Sequence, residues 1–503
     1  MFSSAPTSFN APVNSNVSFF DAAIPGTLPV LNRRCVEAGV LTSLALGLRL
    51  NHVSYFDRKH YFYADLPAGY QITQQRQALA VDGKFTFPVE GKDLPGGGKQ
   101  RANTCFTKET GIVQLQLEQD SGKSLHDLEG GKSLIDLNRC GIGLMEIIFG
   151  PDLRHGEEAA GLVRELRLIL ERVGSCLGRM EQGELRVDAN ISVRRPGDEL
   201  GVRTEVKNIN SVRSVSQVNL KIQILFTLVQ LQAIEYEVAR QIAVLEGGGI
   251  VENETRSFDV LSRRTMSMRD KEAKQDYRFM PEPNLPPLRL CDSDVAPPTS
   301  PYMVDIAPLR MALPHLPSET RKRLESEEGL SPAIANRLVA SPQLLSFYFK
   351  CTEVKPKSRK EVADLILILV TEHCNNTNQQ LDQLALKPEQ LVEVSNMRQE
   401  GEISHMAVKE VVAALLSGEH KEAREAVQAK GLYLIKDETV ILQFVQELMN
   451  NNDKLIKQWR TSEGKKRGKA LQALVSVANK DPRAERVDMA VFMRTLQNSL
   501  EIS

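Results

Sequence analysis

Between residues 281 and 301 the chain reads PEPNLPPL and, a few positions on, APPTSP. Proline lacks a backbone N–H and fixes φ, so a run this dense can be neither helix interior nor central strand. The segment is therefore expected to mark a domain boundary, and the patterning differs on its two sides. From about residue 10 to 290, short β-branched or aromatic runs (YFYADL, KFTFPVEG, IVQLQLEQD, LRVDANISV, VRTEVKNI) alternate with Gly, Pro, Asn and Asp. Two helical patterns interrupt them. The first, 157–173, opens on Glu157 and Glu158, carries Val163, Leu166, Leu170 and Val173 on one stripe, and stops at Gly174. The second, 214–245, ends at the glycines 247–249. Strands with few intervening helices predict an α+β fold built on antiparallel sheets. Beyond 305 nearly everything has helical period, with a further break near KGLYLIKDE, 430–438. The expected organisation is an antiparallel-sheet domain over 1–292, an all-helical domain over 305–428 and a helical tail domain over 429–503.

A chain of 503 residues is too long for one ordinary core, and 42% apolar with 25% charged residues is a globular composition. Lysine plus arginine, 63, nearly cancel aspartate plus glutamate, 64, so no global field drives the chain onto nucleic acid or membrane; any basic surface is local. Seven scattered cysteines without a Cys-x-x-Cys pair argue against a disulfide framework or zinc ribbon and for a reducing compartment. The longest apolar run, VADLILILV at 362–370, falls short of the roughly 20 residues a membrane span needs. It is expected to be a core helix. No cationic segment precedes an apolar stretch at the N-terminus, and the first arginine is Arg33.

In LQLEQDSGKSLHD, 115–127, a short apolar run delivers Glu118 and Asp120, which share a face if the strand continues through them. Glu146 stands among Leu144, Met145, Ile147 and Ile148, where a carboxylate is costly unless paired, hydrogen-bonded or bound to a metal. These positions suit either a metal or catalytic role or a strand-end salt bridge. The segment FDRKHYFYADLPAGYQITQ, 56–74, gathers Arg58, Lys59, Tyr61 and other polar groups suited to an anion, although a polar loop has the same composition. VDANISV and RTEVKNINS interleave Asp188, Asn190, Glu205, Lys207, Asn208 and Asn210 with β-branched residues; Asp188, Asn190 and Ser192 share one face. GKKRGKA at 464–470 and LPGGGKQ at 94–100 both lack Walker spacing, so any use of ATP proceeds without a P-loop. The densest cationic cluster, Lys454 to Lys480, includes Lys465, Lys466, Arg467 and Lys469 and surrounds the only tryptophan, Trp459. It fits a phosphate backbone or, equally, a solvated helix face.

Taken in order, FDRKHYFYADLPAGYQITQ, LQLEQDSGKS, DLNRCGIGLMEIIFGPDL, ELRVDANISVR, RTEVKNINSV, ETRSFD and MRDKEAKQDYRFMPEPNLPPL resemble the B subunit of tRNA-dependent glutamyl-tRNA(Gln) amidotransferases. The last wording is closest to animal mitochondrial forms. The resemblance implies a cradle-shaped first domain and a heterotrimer. In it an amidase partner releases ammonia from glutamine, a small third subunit clamps the pair, and this subunit works with ATP and Mg2+. Glu-tRNA(Gln) would become Gln-tRNA(Gln) through a γ-glutamyl phosphate, in mitochondria, with no membrane insertion and no DNA partner.

Carried over, Glu118, Asp120 and Glu146 are the expected metal ligands, with Glu118, Glu146 and Lys59 catalytic and Arg58, Tyr61, Asp188, Asn190 and Lys207 around the nucleotide. The tail would hold tRNA through Lys465, Lys466, Arg467, Lys469 and Lys480. Two departures stand out. The family loop reads Leu-x-Leu-Glu-Glu-Asp where this chain has Gln119, and the family opens on a Gly-Leu-Glu-x-His strand upstream of the first residue here. A chain starting after that strand is expected to lack its glutamate and histidine. The alternative functions are a non-catalytic tRNA-binding scaffold and, more remotely, a metal-dependent hydrolase using the same carboxylates.

Overall fold

The structure, a computed structural model, describes residues 1–8, 10–90, 105–127, 130–207, 219–259, 262–268, 277–461, 464–478, 481 and 486–502. Its strands and helices segregate as an α+β chain, with sheets in the first part and helices in the rest. Two compact units divide the chain at Thr320/Arg321.

The first unit is organised on a four-stranded antiparallel sheet in the order Arg49–Leu50, Ala80–Glu90, Cys105–Gln119, Gly143–Phe149. One face of this sheet carries Phe85, Phe87, Val89, Leu115 and Leu117 into the main apolar core. Helix Arg33–Ala45 brings Val36 and Val40 to that core, and helix Gly156–Val173 brings Leu162, Val163, Leu166 and Leu170. The second of these follows its pattern closely. Val163, Leu166 and Leu170 of its stripe are buried and Val173 is half-buried, and Gly174 closes it at φ 70, where the cap N–H meets the carbonyls of Leu170 and Glu171.

A register shift between Ile112 and Gln114 decides which side chains share a face. With Val113 as the extra, exposed residue, Ile112 joins Leu115 and Leu117 in the core although strict alternation separates them. Gln114, Gln116 and Glu118 then lie together on the opposite face.

Beside this sheet, Asp57–His60 pairs with Tyr70–Thr73 and with Met280–Pro281. Leu288–Cys291 pairs antiparallel with Val53–Ser54 and parallel with Val304–Asp305. A further mixed sheet runs Ala189–Ile191, Thr204–Lys207, Thr255–Asp259, Arg264–Ser267 around a small core that includes Ala233 of helix Asn219–Glu246.

One expectation needs correcting. YFYADL does not form a strand: the strands end at His60 and resume at Tyr70, and the intervening loop holds the tyrosines. The chain around the proline-rich segment packs on the first unit. Leu288, Leu290, Val304 and Ile306 are all buried in the first unit's core, and that unit runs on to Thr320, past the expected end at 292. The prolines there flank a short strand whose alternate residues are still apolar enough to dock.

The second unit is helical. One buried cluster draws on residues from Leu324 to Leu432 and another on residues from Ile441 to Leu500. VADLILILV lies within the first as helix Arg359–Leu365 running into a π-helical turn, Ile366–Val370, with Val362, Leu365, Ile366, Leu367 and Val370 buried. Among the described residues no helix is long and apolar enough to cross a membrane.

Candidate functional site

The face of the central sheet opposite the core presents a row of polar side chains. Strand pairing sets Glu146 directly across from Gln116, and alternation sends Met145, Ile147 and Phe149 to the core instead. Glu146 therefore escapes the apolar setting that its neighbours in sequence suggest, and it meets Gln116 and Glu118.

Glu118 is 5% exposed, and its carboxylate accepts three hydrogen bonds, two on one oxygen and one on the other. Oε1 accepts from Thr73 Oγ1 at 2.5 Å and from Gln116 Nε2 at 2.9 Å; Oε2 accepts from Gln71 Nε2 at 3.3 Å. The same Gln116 amide donates to Glu146 Oε2 at 2.5 Å. Although the Glu146 side chain is exposed, loss of water around its carboxyl pushes it up to about 7; repulsion from Glu118 adds to this, the Lys59 charge opposes it and Asp188 reinforces it. Gln74 ties the neighbouring backbone, accepting from the Leu117 N–H at 3.1 Å while donating to Ser54 at 3.1 Å.

Lys59 reaches this cluster from the strand Asp57–His60, its ammonium 4.5 Å from the Tyr277 ring centre and 5.7 Å from that of Tyr61. Tyr61 packs edge-on against Tyr63 and Tyr277 and donates from its hydroxyl to Gln71 at 3.3 Å. Burial first, then the Glu118 charge, raises its pKa, so the phenol stays protonated. Lys59, Tyr61, Glu118, Glu146 and Asp188 thus form one neighbourhood.

Other expected residues are placed differently. Asp120, just beyond the strand's end, receives Arg186 at 2.8 Å and lies 3.4 Å from Arg139, and its charge, like that of Glu118, is felt by the Tyr61 hydroxyl. Arg139 also donates to the Ser121 and Gly122 carbonyls, so the turn after the strand is clamped by guanidinium groups. Arg58 is held by Glu282 through two hydrogen bonds, 2.6 and 3.1 Å, and lies 4.2 Å over the Tyr70 ring. Asn190 is exposed on the mixed sheet, opposite Glu205, and Lys207 lies 3.5 Å from Glu205. Asn208 and Asn210 lie outside the described residues.

Among the described residues, no three His, Cys, Asp or Glu side chains are gathered as a metal cage. Two carboxylates, those of Glu118 and Glu146, are bridged there by one amide. That composition fits Mg2+, which is commonly held by one or two carboxylates with waters and substrate phosphates completing its shell.

In the second unit, Lys466, Arg467 and Lys469 project from helix Gly464–Ala478, with Lys454, Lys457 and Arg460 exposed on helix Asp453–Thr461. Trp459 is buried, and the Arg467 guanidinium covers its ring at 3.7 Å. The Lys465 side chain and Lys480 lie outside the described residues.

Sequence reasoning missed Gln71, Thr73 and Gln116. The signal existed in VQLQLEQ, whose polar positions 114, 116 and 118 alternate with leucines, but nothing local identifies a buried glutamine as a carboxylate's partner.

Residues 1–296 match the family described as the GatB/GatE catalytic domain, and 347–500 match the GatB domain. The chain is 45% identical to the B subunit of the mitochondrial glutamyl-tRNA(Gln) amidotransferase of Aedes aegypti, over 100% of this chain and 90% of the relative. It is 42% identical to the Homo sapiens mitochondrial B subunit, over 100% and 86%. The B subunit of the aspartyl/glutamyl-tRNA(Asn/Gln) amidotransferase of Bartonella bacilliformis is 38% identical, over 91% and 84%. From its first residues to its helical end, this chain belongs to the GatB family of tRNA-dependent amidotransferase B subunits.

Proposed function

We propose that this chain is the B subunit of a mitochondrial amidotransferase that converts Glu-tRNA(Gln) to Gln-tRNA(Gln) in an ATP- and Mg2+-dependent reaction. The observation that carries the chemistry is the Glu118–Gln116–Glu146 cluster beside Lys59, within the part of the chain that matches the catalytic domain. A carboxylate is a poor electrophile. Its γ-oxygen must first attack the terminal phosphorus of ATP, releasing ADP, so that ammonia can displace phosphate from the acyl carbon and lose a proton.

Glu118 and Glu146 would hold Mg2+, which supplies charge neutralisation at the nucleotide phosphates. Thr73 and Gln71 orient the Glu118 carboxylate without charge of their own. Lys59, steadied by Tyr61 and Tyr277, offers a cation to phosphate oxygens. Arg58 acts differently from a free phosphate ligand: paired to Glu282, it fixes the strand on which Lys59 stands.

The names of the animal relatives support a mitochondrial location, and their designation as B subunits supports the presence of partner subunits. The partners proposed are an amidase that supplies ammonia and a small third subunit. Exposed Lys466, Arg467 and Lys469 would meet the tRNA backbone.

Co-expression of the full chain with both partners, followed by glutamine- and ATP-dependent conversion of Glu-tRNA(Gln), tests this reading. Glu146→Gln keeps the shape but removes the charge; conversion should fall by at least about 100-fold, on the scale of losing one preorganised electrostatic group, while the complex still assembles. Unchanged conversion overturns the catalytic reading. Loss of conversion even by the unsubstituted complex, with tRNA still bound, favours the scaffold reading, which the guanidinium-bound state of Asp120 also supports.

A further inference from the structure

We infer that Gln116 is a positioning residue that sets the separation and orientation of the Glu118 and Glu146 carboxylates, and with them the site's affinity for a divalent cation. The inference rests on the proposed role of those two carboxylates and goes further by naming the group that fixes their geometry.

Gln116 is only 2% exposed, at mid-strand, opposite Glu146 in register and two residues from Glu118. A primary amide has two N–H bonds and one acceptor oxygen. Here Nε2 lies 2.9 Å from Glu118 Oε1 and 2.5 Å from Glu146 Oε2, while Oε1 accepts from Gln114 Nε2 at 2.5 Å. The network admits one orientation. A flipped amide would set its oxygen against two carboxylates and its NH2 against the NH2 of Gln114.

The bridging nitrogen is neutral, so it offsets part of the repulsion between the two acids without competing with a cation as a fixed charge would. Thr73 and Gln71 also hold Glu118 from the neighbouring strand, whereas the Gln116 amide donates to both Glu118 and Glu146, which also meet each other directly. Without it, the more exposed Glu146 is released towards solvent.

The test uses the full chain in its complex with both partner subunits. Gln116→Met keeps length and apolar volume but removes the donors. Gln114→Met, at a half-buried site, removes only the anchor of the amide oxygen. Mn2+ alone is the binding probe, followed by electron paramagnetic resonance, and conversion of Glu-tRNA(Gln) is measured against Mg2+ concentration. Gln116→Met should weaken Mn2+ binding and raise the Mg2+ requirement by roughly 10-fold or more, the usual effect of losing a group that orients a metal ligand. Saturating Mg2+ should restore most of kcat with an unchanged KM for tRNA, and Gln114→Met should shift the same quantities less. A merely structural role would lower kcat and thermal stability without moving the metal dependence. Unchanged Mn2+ affinity and Mg2+ dependence in Gln116→Met overturns the inference, as does loss of kcat that high Mg2+ does not restore. Failure of the underlying reading is distinguished by Glu146→Gln: if that variant converts normally, the carboxylate pair itself is not the working site.

Discussion

Buried charge in this protein is handled one residue at a time, and Glu237 shows how. Its side chain is fully buried on helix Asn219–Glu246, yet Arg240 donates to it at 2.7 and 2.9 Å, Gln241 at 2.9 Å and Thr265 at 2.8 Å. Burial pushes its pKa up, but the hydrogen bonds from Arg240, Gln241 and Thr265 and the Arg240 charge outweigh it, and the net value falls below the ordinary 4.5. A carboxylate with a lowered folded-state pKa stabilises the fold above its unfolded pKa and loses that contribution as pH falls through the folded value. Glu237→Gln should destabilise the first unit by roughly 1–3 kcal/mol near neutral pH, because Arg240 and Arg256 keep Glu254 but lose the second of their two carboxylates. Urea midpoints of both proteins followed from about pH 7 to about pH 3 should converge at the acid end. A constant gap would show that shape rather than charge is what Glu237 supplies. The same residue-level reasoning separates Asp120 from Glu118: two residues apart in sequence, one is held by arginines and the other by neutral donors.

At the scale of elements, the site depends on how helix Arg33–Ala45 lies against the sheet. A Cβ added at Gly39 would stand 2.7 Å from Leu79 Cδ2 and 3.0 Å from Leu117 Cδ2, both in buried side chains. Gly39→Val should therefore push the helix off the strand Cys105–Gln119, costing roughly 1–3 kcal/mol as other overpacked cores do. Because Leu117 adjoins Glu118, the variant should lose amidotransfer activity more steeply on warming than the unsubstituted protein; paired melting curves and activity assays check this. Element types were largely legible beforehand. The helix over 157–173 declares itself by stripe, acidic start and terminal glycine, and the strand through IVQLQLEQD by alternation. The bulge at Val113 was not legible, because Ile112 and Leu115 can be counted as parts of one apolar run without showing that an extra residue separates them.

For the whole molecule, the division at Thr320/Arg321 carries its own prediction. Both helical clusters draw entirely on residues from Leu324 to Leu500, so a fragment beginning at Pro317, which keeps helix Pro317–Ser326 intact, should fold alone. Circular dichroism and cooperative melting check that expectation. Lys466→Glu with Lys469→Glu should leave its melting unchanged, weaken tRNA binding across sequences and lower the salt slope by about 1 for each phosphate no longer neutralised. Unaltered binding would move the tRNA interface elsewhere. By itself, the sequence determined what is set by neighbours along the chain: segregated strands and helices, the separate apolar stripes of the second half and the ordered motifs that carry the family. Tertiary structure decided that the proline-rich stretch docks as part of the first unit, that Gln116 faces Glu146 thirty residues away, and that Arg58 meets Glu282 across 224 positions. Periodicity is a local property, whereas register and side-chain partnership arise only when strands distant in sequence close on one core and a single shifted residue exchanges the two faces of a sheet.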